Sequence, residues 1–486
     1  MLFLLPLLLA AADTTPGEWL KQQTPPVFRA GQALPPLTRY GWVLPMDARI
    51  ELAERWGYCL EFSGYVTPQV VDKALGDPKS DEAKCVELAA KDPRRYPLAV
   101  ICSRELPTTG PPEMWTRDAQ GKFLSAEAKS YDGTVWDAKM RTVYSPEAPD
   151  DIWRQAGEFR AAPLRRLREK CPIAIVLNGG EYGLGVSGFA RKVWELDPAV
   201  VKAKGQRTWF DYISERKGRA ETLIADAVRA AVPDRQLYIY YTAGGGTHRN
   251  RWGGWAEWEY GYEWMKPVSD LPTAEFYYRH FNSGFTGDMD LLTFVLNAKG
   301  REIAAGRPLS FSWVCAGWPR GKDEAVDLAD IERWSGFLSC LYAAGTVTAN
   351  AGYYAYPKGG FAVKFPADQP PHWLRQMVAT ARVHARFSHL EAWLRQGDLL
   401  PGPDKHRWSK DQPAYQFPTG DKTAHVLVRK LRDRPEWLLC AWTADGPDRD
   451  VTVTVPELGP VPVRATAGAG VYRAVVKDGK AVVTAL

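Results

Sequence analysis

Short β-branched and aromatic runs alternate with segments of helical periodicity over most of the chain, from about residue 40 to residue 396. The runs with the length and composition of strands are Tyr40–Pro45, Tyr58–Ser63, Leu98–Ser103, Ile173–Asn178, Leu237–Thr242, Thr273–Arg279, Leu309–Val314 and Thr346–Tyr354. The segments with helical spacing are Asp47–Trp56, Asp151–Glu169, Arg216–Ala231, Met289–Ala305 and Asp327–Ala344. This alternation predicts an α/β fold, a (β/α)8 TIM barrel. A doubly wound open sheet is the alternative, but no Gly-rich phosphate fingerprint follows the first strand.

The pattern changes after the eighth predicted strand. Pro371–Gln396 reads as a long amphipathic helix, and from about Leu400 the chain consists of short alternating runs separated by turns such as Asp478-Gly479. These runs are His425–Arg429, Trp437–Trp442, Val451–Val455 and Val461–Ala465. They predict a small C-terminal antiparallel β-sandwich. We therefore expect an N-terminal extension at 13–38, a TIM-barrel catalytic domain at 39–396 and a β-sandwich domain at 397–486.

The first twelve residues, MLFLLPLLLAAA, are apolar and end in small residues. Such a segment is typical of a secretory signal peptide, with cleavage in the Ala10–Ala12 region. We expect a secreted or periplasmic protein. No run of 18 apolar residues occurs, so the sequence predicts no membrane span.

Charge and cysteine content narrow the choice of partners. The 62 basic and 57 acidic residues are scattered, so the net charge of +5 forms no basic stripe and nucleic acid is not an expected partner. The seven cysteines include no CxxC and no Cys/His ligand spacing, so no metal or other cofactor is expected. Several cysteines lie in apolar runs typical of buried free thiols: Cys59, Cys102, Cys315, Cys340 and Cys440.

The segment IAIVLNGGEYGLG, from Ile173 to Gly185, carries the sharpest chemical feature. A continuous apolar run ends in Asn178, two glycines and Glu181, which puts a carboxyl group at the end of the fourth predicted strand. Active sites of barrels lie at that end, where partial burial raises a carboxyl pKa toward the range of a general acid. A loop cap or salt bridge is the ordinary alternative for this glutamate.

Glu181-Tyr182-Gly183 resembles the Asn-Glu-Tyr-Gly segment of retaining TIM-barrel glycoside hydrolases, in the clan of the bacterial beta-galactosidase-like enzymes. The resemblance implies that Glu181 is the acid/base residue and that Tyr182 belongs to the site. Gly180 stands where the family has asparagine, so Asn178 is the nearest candidate for the hydrogen bond to a sugar hydroxyl. The order of barrel, long helix and C-terminal β-domain is similar to that clan as well.

Retention requires a second carboxylate, which the clan places at the end of strand seven. Here that strand reads LSFSWVCAGW, from Leu309 to Trp318, and contains no acid. Glu275, in TAEFYYRHFN on the preceding strand, is the best substitute. Alternation puts it on one strand face with Tyr277 and Arg279. The other candidates are Glu61, Glu105, Asp288 and Glu263.

Aromatic and polar residues near the predicted strand ends are candidates for substrate binding. The loop after strand five, HRNRWGGWAEWEYGYEW, carries Trp252, Trp255, Trp258 and Trp264, which is dense for a charged, Gly-containing loop. Aromatic faces of this kind stack on sugar rings, although a hydrophobic plug or a subunit interface would also use them. The remaining candidates are Arg104, Glu61, Tyr278, His280, Trp313 and Trp318.

The sequence thus favours a secreted glycoside hydrolase that cleaves a polysaccharide or oligosaccharide with two carboxylates, and the resemblance implies a retaining mechanism. A non-catalytic carbohydrate-binding protein on a degenerate barrel is the first alternative, because strand seven has no acid. A barrel hydrolase of another kind, with a different carboxylate pair, is the second.

Overall fold

The computed structural model describes residues 12–31, 34–39, 44–103, 106–129, 135–179, 191–241, 266–277, 288–315, 331–352, 364–407, 409–444 and 446–486. Strands and helices alternate as far as residue 396, which makes this part a mixed α/β structure. Beyond it the described elements are strands.

The strands of the α/β part are β1 (Asp13–Thr14), β2 (Thr38–Arg39), β3 (Leu60–Val66), β4 (Leu98–Cys102), β5 (Ser125–Lys129), β6 (Val135–Thr142), β7 (Ile175–Gly179), β8 (Leu237–Tyr241), β9 (Thr273–Tyr277), β10 (Ser310–Cys315), β11 (Thr346–Gly352) and β12 (Phe365–Pro366). The helices are α1 (Pro16–Gln22), α2 (Met46–Arg55), α3 (Pro68–Gly76), α4 (Asp81–Lys91), α5 (Asp150–Arg168), α6 (Arg191–Trp194), α7 (Pro198–Lys204), α8 (Trp209–Ala231), α9 (Asp288–Ala304), α10 (Ile331–Ala344), α11 (His372–His389) and α12 (Glu391–Gln396). A 3₁₀ turn lies at Pro112–Met114.

Two four-stranded sheets form the centre of the α/β part, and every pair in them is parallel. The order is β3-β4-β7-β8 in the first sheet and β2-β11-β10-β9 in the second. We expected one continuous eight-stranded barrel sheet. The described strand pairing gives two separate sheets instead, joined on one side by a parallel bridge between Leu37 and Tyr58.

Strand faces alternate between two apolar clusters. Val176 of β7 and Tyr238 of β8 pack toward helices, in a cluster with Ala161 of α5 and Ala225 of α8. The opposite face joins residues of both sheets in one cluster: Cys59, Ala99, Ile175, Leu177, Leu237, Ile239, Phe311, Trp313 and Cys315. Because both faces are covered, the strands read as continuous apolar runs and not as alternating ones.

Helix starts follow local capping rules. Thr15 caps α1 in a capping box with Glu18, Ser80 caps α4, and Thr208 caps α8 by accepting the Asp211 amide at 3.1 Å. These side chains satisfy amide groups that have no partner within the first helical turn. Helices α5 and α8 pack closely at Gly157, where a Cβ atom would lie 2.9 Å from that of Ala227.

The part after residue 396 consists of β13 (Gly397–Leu399), β14 (Lys405–His406), β15 (Ser409–Pro413), β16 (Ala424–Leu431), β17 (Glu436–Thr443), β18 (Arg449–Val455), β19 (Gly459–Ala465), β20 (Gly470–Lys477) and β21 (Lys480–Ala485). A five-stranded antiparallel sheet has the order β13-β16-β17-β20-β21. The β18–β19 hairpin covers one face of this sheet, through a cluster that includes Val453, Val461 and Leu439. The other face packs on α10, through Leu438, Cys440 and Trp442.

Arg429 and Gly336 hold the C-terminal strands against the helices. The buried Arg429 guanidinium donates to four carbonyl oxygens, those of Trp393 (2.9 Å), Ala343 (3.1 Å), Leu394 (3.2 Å) and Gly397 (2.8 Å). Those carbonyls lie near the C-terminal ends of α10 and α12, where helix carbonyls lack internal partners. Gly336 on α10 allows close contact, because a Cβ there would lie 2.1 Å from the Ala467 oxygen.

Seven of the eight predicted strands overlap observed ones, and each predicted helix overlaps an observed helix. The predicted first strand, Tyr40–Pro45, falls mostly outside the described residues, and the described strand Thr38–Arg39 lies directly before it. All seven cysteines are buried and free, as expected for the five lying in apolar runs. The proposed signal segment falls almost entirely outside the described residues. Within the described part of the chain, every helix is too short or too polar to span a bilayer.

Candidate functional site

The carboxyl ends of β3, β4, β7 and β8 lie at one edge of the first sheet, since these strands are parallel. Strand β7 is paired with β8 up to its last residue, where Gly179 faces Tyr241 in the register. Glu181 follows two residues later and lies outside the described residues. The end of β7 is therefore the described part of the chain that is closest in sequence to Glu181.

Asn178, the last side chain described on β7, is held by protein groups on the helix side of the sheet. Its Oδ1 accepts from Arg160 Nη1 at 2.8 Å, and its Nδ2 donates to the Tyr238 hydroxyl at 2.8 Å. A weaker contact of 3.5 Å joins Nδ2 to Glu221 Oε2. Buried amides bonded on both sides fix the backbone that carries them, so this network holds the end of β7 in place.

Lys217 completes the network from helix α8. Its Nζ donates to Glu221 Oε1 at 2.6 Å, and both side chains are buried. Burial lowers the pKa of the Lys217 ammonium, while the Glu221 carboxylate beside it acts in the opposite direction. This network could not be predicted from the sequence, because its members are spread over two helices and two strands.

The expected role of Asn178 in substrate binding does not suit its surroundings. Asn178 is fully buried, and it follows Leu177, which belongs to the cluster between the sheets. Successive side chains on a strand point to opposite faces. Asn178 accordingly lies against α5 and α8, and we assign it a structural role at the end of β7.

Glu61 lies at the junction between the two sheets. Its Oε1 accepts the backbone N–H of Arg39 at 2.5 Å, and in the strand register it pairs with Ala99 of the cluster between the sheets. Its Oε2 is buried and has no hydrogen-bond partner among the described residues. The Glu61 carboxyl group thus occupies the Arg39 N–H, which would otherwise form a further backbone hydrogen bond from β2 to β3. For this reason the pairing between the two sheets is limited here to the Leu37–Tyr58 bridge.

The position of Glu61 in its strand differs from the expected one. We expected it near the end of strand two, but β3 runs from Leu60 to Val66, so Glu61 is its second residue. The register also shifts between Glu61 and Tyr65. Glu61 therefore lies toward the amino end of β3, well before the sheet edge where Glu181 follows β7.

Burial raises the pKa of Glu61 to about 7, although the Arg39 and Arg49 guanidinium groups and the Arg39 amide oppose the shift. Since the folded protein holds this proton more tightly than the unfolded chain, the free energy of unfolding falls as pH rises from about 4.5 to about 7, and then levels off. We expect Glu61→Gln to remove this dependence. Between pH 4.5 and pH 8 the natural protein should lose up to about 3 kcal/mol that the variant does not lose.

Urea unfolding at several pH values measures this difference. Glu113→Gln, at an exposed glutamate before the β5–β6 hairpin, is the control and should keep the natural pH dependence. If the free energies of unfolding of Glu61→Gln and the natural protein changed with pH in parallel, Glu61 would have the same pKa in the folded and the unfolded protein.

Trp313 is the described member of the predicted aromatic set. It is 5% exposed and lies in the cluster between the sheets, edge-to-face with Phe311 at a centroid distance of 5.8 Å. Its Cα pairs with that of Glu275 on one side and Asn350 on the other. The register thus brings position 275 next to Trp313, although the Glu275 side chain is outside what the structure describes.

Most other predicted site residues fall outside the described residues. They are Arg104, Tyr182, Trp252, Trp255, Tyr278, His280 and Trp318, together with the alternative acids Glu105 and Glu263. Asp288, the remaining alternative, is the first residue of α9, and its side chain is not described. These assignments stay predictions.

Two long connections at the carboxyl ends of β4 and β7 pack on each other. The Trp194 indole N–H donates to the Tyr144 carbonyl oxygen at 3.0 Å, and the Asp197 carboxylate accepts the Arg117 backbone N–H at 2.8 Å. A shared apolar cluster, which includes Met114 and Trp153, lies beneath these contacts. The described parts of the connections that follow the third and fourth parallel strands therefore form one packed unit.

No group of three or more His, Cys, Asp or Glu side chains suited to a metal ion occurs among the described residues. Burial brings together three pairs of opposite charge there, Arg39–Glu61 and Lys217–Glu221 near the sheets and Lys299–Glu302 on α9. Each is a cation beside a carboxylate. They suit charge neutralisation within the fold and not metal coordination.

The sequence matches no protein-family model and no curated protein. Its fold is similar, at low scores, to solved glycoside hydrolases. A GH36 α-galactosidase of Geobacillus stearothermophilus, solved with raffinose, is 10% identical, with 97% of this chain and 58% of that chain covered and a TM-score of 0.44. A GH27 β-L-arabinopyranosidase of the same organism is 9% identical, with coverages of 96% and 99% and a TM-score of 0.43.

An α-amylase of Geobacillus thermoleovorans, solved with acarbose, is 12% identical, with 82% of this chain and 80% of that chain covered and a TM-score of 0.40. TM-scores of 0.40 to 0.44 are too low to assign this chain to a fold family or an activity.

Proposed function

We propose that this chain is a glycoside hydrolase that cleaves O-glycosidic bonds in a polysaccharide or oligosaccharide. Glu181 would protonate the leaving oxygen and then deprotonate the attacking water. The observation that carries the proposal is the end of β7. It is the fourth parallel strand in chain order, it is fixed at Asn178, and Glu181 follows two residues later.

We further propose that the two sheets are halves of one (β/α)8 barrel. Support comes from both places where their edges meet. At the first, Cys59 N donates to the Leu37 oxygen at 2.8 Å, next to the Leu37–Tyr58 bridge. At the second, Thr273 Oγ1 donates to the Tyr240 carbonyl oxygen at 2.7 Å. The apolar cluster shared by the inner faces of both sheets is what a barrel interior requires.

Glu275 is the proposed partner of Glu181, acting as the nucleophile of a retaining mechanism. Its strand neighbours β10, and its Cα pairs with that of Trp313. Retention requires carboxyl groups about 5 Å apart, whereas inversion requires about 6.5–9.5 Å. The nucleophile has to stay ionised beside a protonated acid, so the two groups need different surroundings. The predicted neighbours Tyr277 and Arg279 would supply them for Glu275.

The domain organisation belongs to the proposal. We propose a catalytic domain at 39–396, a β-sandwich domain at 397–486 and export through the apolar segment 1–12. The aromatic loop with Trp252 and Trp255 would stack on sugar rings, with Trp318, Tyr278, His280, Tyr182 and Arg104 around it. Glu61 takes no part in this site, because it is buried toward the amino end of β3.

A carbohydrate-binding protein on the same fold is the second candidate. Strand β10, the seventh parallel strand in chain order, is described as Ser310–Cys315, and these six residues include no carboxyl group. A binder would use the aromatic residues without a second acid.

A panel of polysaccharides and aryl glycosides tests the proposal, with product stereochemistry followed by NMR. Hydrolysis with retained anomeric configuration is the expected result. Binding of a panel member without turnover over prolonged incubation would replace the enzyme by the binder. Turnover with inverted configuration would keep the hydrolase and remove Glu275 as the nucleophile.

A further inference from the structure

A groove on the outer side of helix α11 lies between α1 and the first turns of α10. It encloses about 480 Å³, within the usual size range of ligand sites. The residues that the argument uses are Trp19, Gln23, Ser335, Asp368, Arg375 and Arg382. This groove involves none of the residues proposed for catalysis.

The floor of the groove is one stripe of α11. Arg375, Val378, Ala379 and Arg382 have the i, i+3, i+4, i+7 spacing that puts side chains on the same helix face. The two arginines lie at the ends of the stripe, about 10 Å apart along the helix axis. Val378 and Ala379 form an apolar floor between them.

Neither arginine has a partner for its guanidinium within the described part of the chain, by hydrogen bond or by ion pair. Arg375 is half-buried and Arg382 is exposed. Asp368 is the acid that lines the groove, and it makes no ion pair with either of them at 4.0 Å or less. By contrast, Arg386 near the end of α11 donates to the Ala469 carbonyl oxygen at 3.3 Å. Unpaired guanidiniums suit bidentate binding of oxyanions.

The walls offer hydrogen bonds and apolar contact. The Trp19 indole N–H donates to the Ala367 oxygen at 3.2 Å, so this side chain is fixed and contributes an apolar wall. Ser335 Oγ donates to the Ile331 oxygen at 2.9 Å and can still accept a hydrogen bond from a ligand. The Gln23 side-chain amide has no partner among the described residues and can both donate and accept.

We propose that this groove is a second carbohydrate site, which binds an anionic oligosaccharide through two acidic groups about 10 Å apart. Carboxylates or sulfates on the sugar would pair with Arg375 and Arg382. A sugar ring between them would lay its C–H face on Val378 and Ala379, with hydroxyls toward Gln23 and Ser335. This binding does not depend on hydrolysis at Glu181, so it stands or falls separately from the proposed function.

Calorimetric titration of the full chain tests the site. The probes are a galacturonate hexasaccharide, a sulfated glucan hexasaccharide and neutral maltohexaose. We expect one or both anionic probes to bind, and the bound probe identifies the acidic group. Arg375→Gln and Arg382→Gln should each weaken that binding about tenfold, the usual worth of a hydrogen bond to a charged group.

The control variant combines Arg94→Gln with Lys170→Gln, which removes the same charge from exposed residues elsewhere on the surface. It should bind the anionic probe as the natural protein does. Three results would overturn the proposal: no binding of either anionic probe, unchanged affinity in the Arg375→Gln/Arg382→Gln variant, or equal affinity for maltohexaose. Tighter binding of hexaglutamate than of both anionic saccharides would overturn it in favour of an acidic peptide.

Discussion

Replacing Glu181 by Gln is expected to lower turnover by roughly 10²-fold or more while the protein stays folded. Glutamine keeps the shape of the side chain and its hydrogen bonds, but it has no proton to give to the leaving oxygen. The fold should tolerate the change, because Asn178 holds the end of β7 through Arg160 and Tyr238. Steady-state rates on the substrate found in the panel, with circular dichroism as the folding check, measure the effect.

The leaving group separates acid catalysis from other roles of Glu181. Acidic phenols leave from aryl glycosides without being protonated. Glu181→Gln should therefore slow the cleavage of these aryl glycosides much less than the cleavage of substrates with alkyl or sugar leaving groups. Glu275→Gln should slow all of these substrates, since the nucleophile is needed whatever leaves. Glu195→Gln, an exposed glutamate on the same connection, is the matched control. Equal losses for all leaving groups in Glu181→Gln would contradict the acid role.

Strands buried on both faces were predictable from the sequence because their apolar runs are continuous. Ile173–Asn178 predicts β7 to within two residues, and Trp437–Trp442 predicts β17 to within one. Helices with one polar face were predicted as well, such as Asp151–Glu169 for α5. The type of each of these elements follows from which of its residues are buried, and the local spacing of apolar residues in the sequence shows which those are.

Strand β2 shows the limit of this rule. Thr38 and Arg39 are polar, yet both are fully or almost fully buried, and Thr38 Oγ1 accepts from Asn350 Nδ2 at 3.0 Å. A buried polar strand of two residues has no apolar run to identify it. Its partner is more than 300 residues away, and pairing over such a distance leaves no local signal.

The candidate site shows the same division between local and distant information. The glycines and glutamate after β7 are visible in the sequence, as is the position of Glu275 on the sixth parallel strand. The sheet face to which Asn178 points could have been derived from its neighbour Leu177, if the sequence had shown which face of the first sheet meets the second sheet. That choice depends on Phe311 and Trp313, which contact Ile175 and Leu177 only once the sheets have assembled. Glu61 depends equally on a distant backbone group, the amide of Arg39.

Lys299 and Glu302 on α9 form an ion pair that is wholly removed from solvent. Both side chains are 0% exposed, and Lys299 Nζ also donates to Ser310 Oγ at 2.9 Å, at the start of β10. Burial lowers the pKa of Lys299 and raises that of Glu302, and each group opposes the shift of the other. Glu302 Oε1 is buried and has no hydrogen-bond partner among the described residues. Either charge without the other would therefore be buried and uncompensated.

We expect Lys299→Met or Glu302→Leu alone to lower the free energy of unfolding by about 3–5 kcal/mol, because each leaves one buried charge unpaired. The double variant buries no charge and should lose much less than the sum of the two losses, even with Ser310 deprived of its donor. Urea unfolding of the natural protein and the three variants gives the coupling energy. Lys84 and Glu87 on α4 provide the matched control, since they have the same i, i+3 spacing and a distance of 2.9 Å but are exposed.

The corresponding cycle at Lys84 and Glu87 should give a coupling close to zero, because water already solvates both charges. A large coupling at Lys299–Glu302 together with a small one at Lys84–Glu87 would locate the effect in burial and not in helix spacing. Additive losses at the buried pair would mean that each charge finds compensation in another part of the protein. The contribution of Lys299 to the junction of α9 with β10 then would not depend on Glu302.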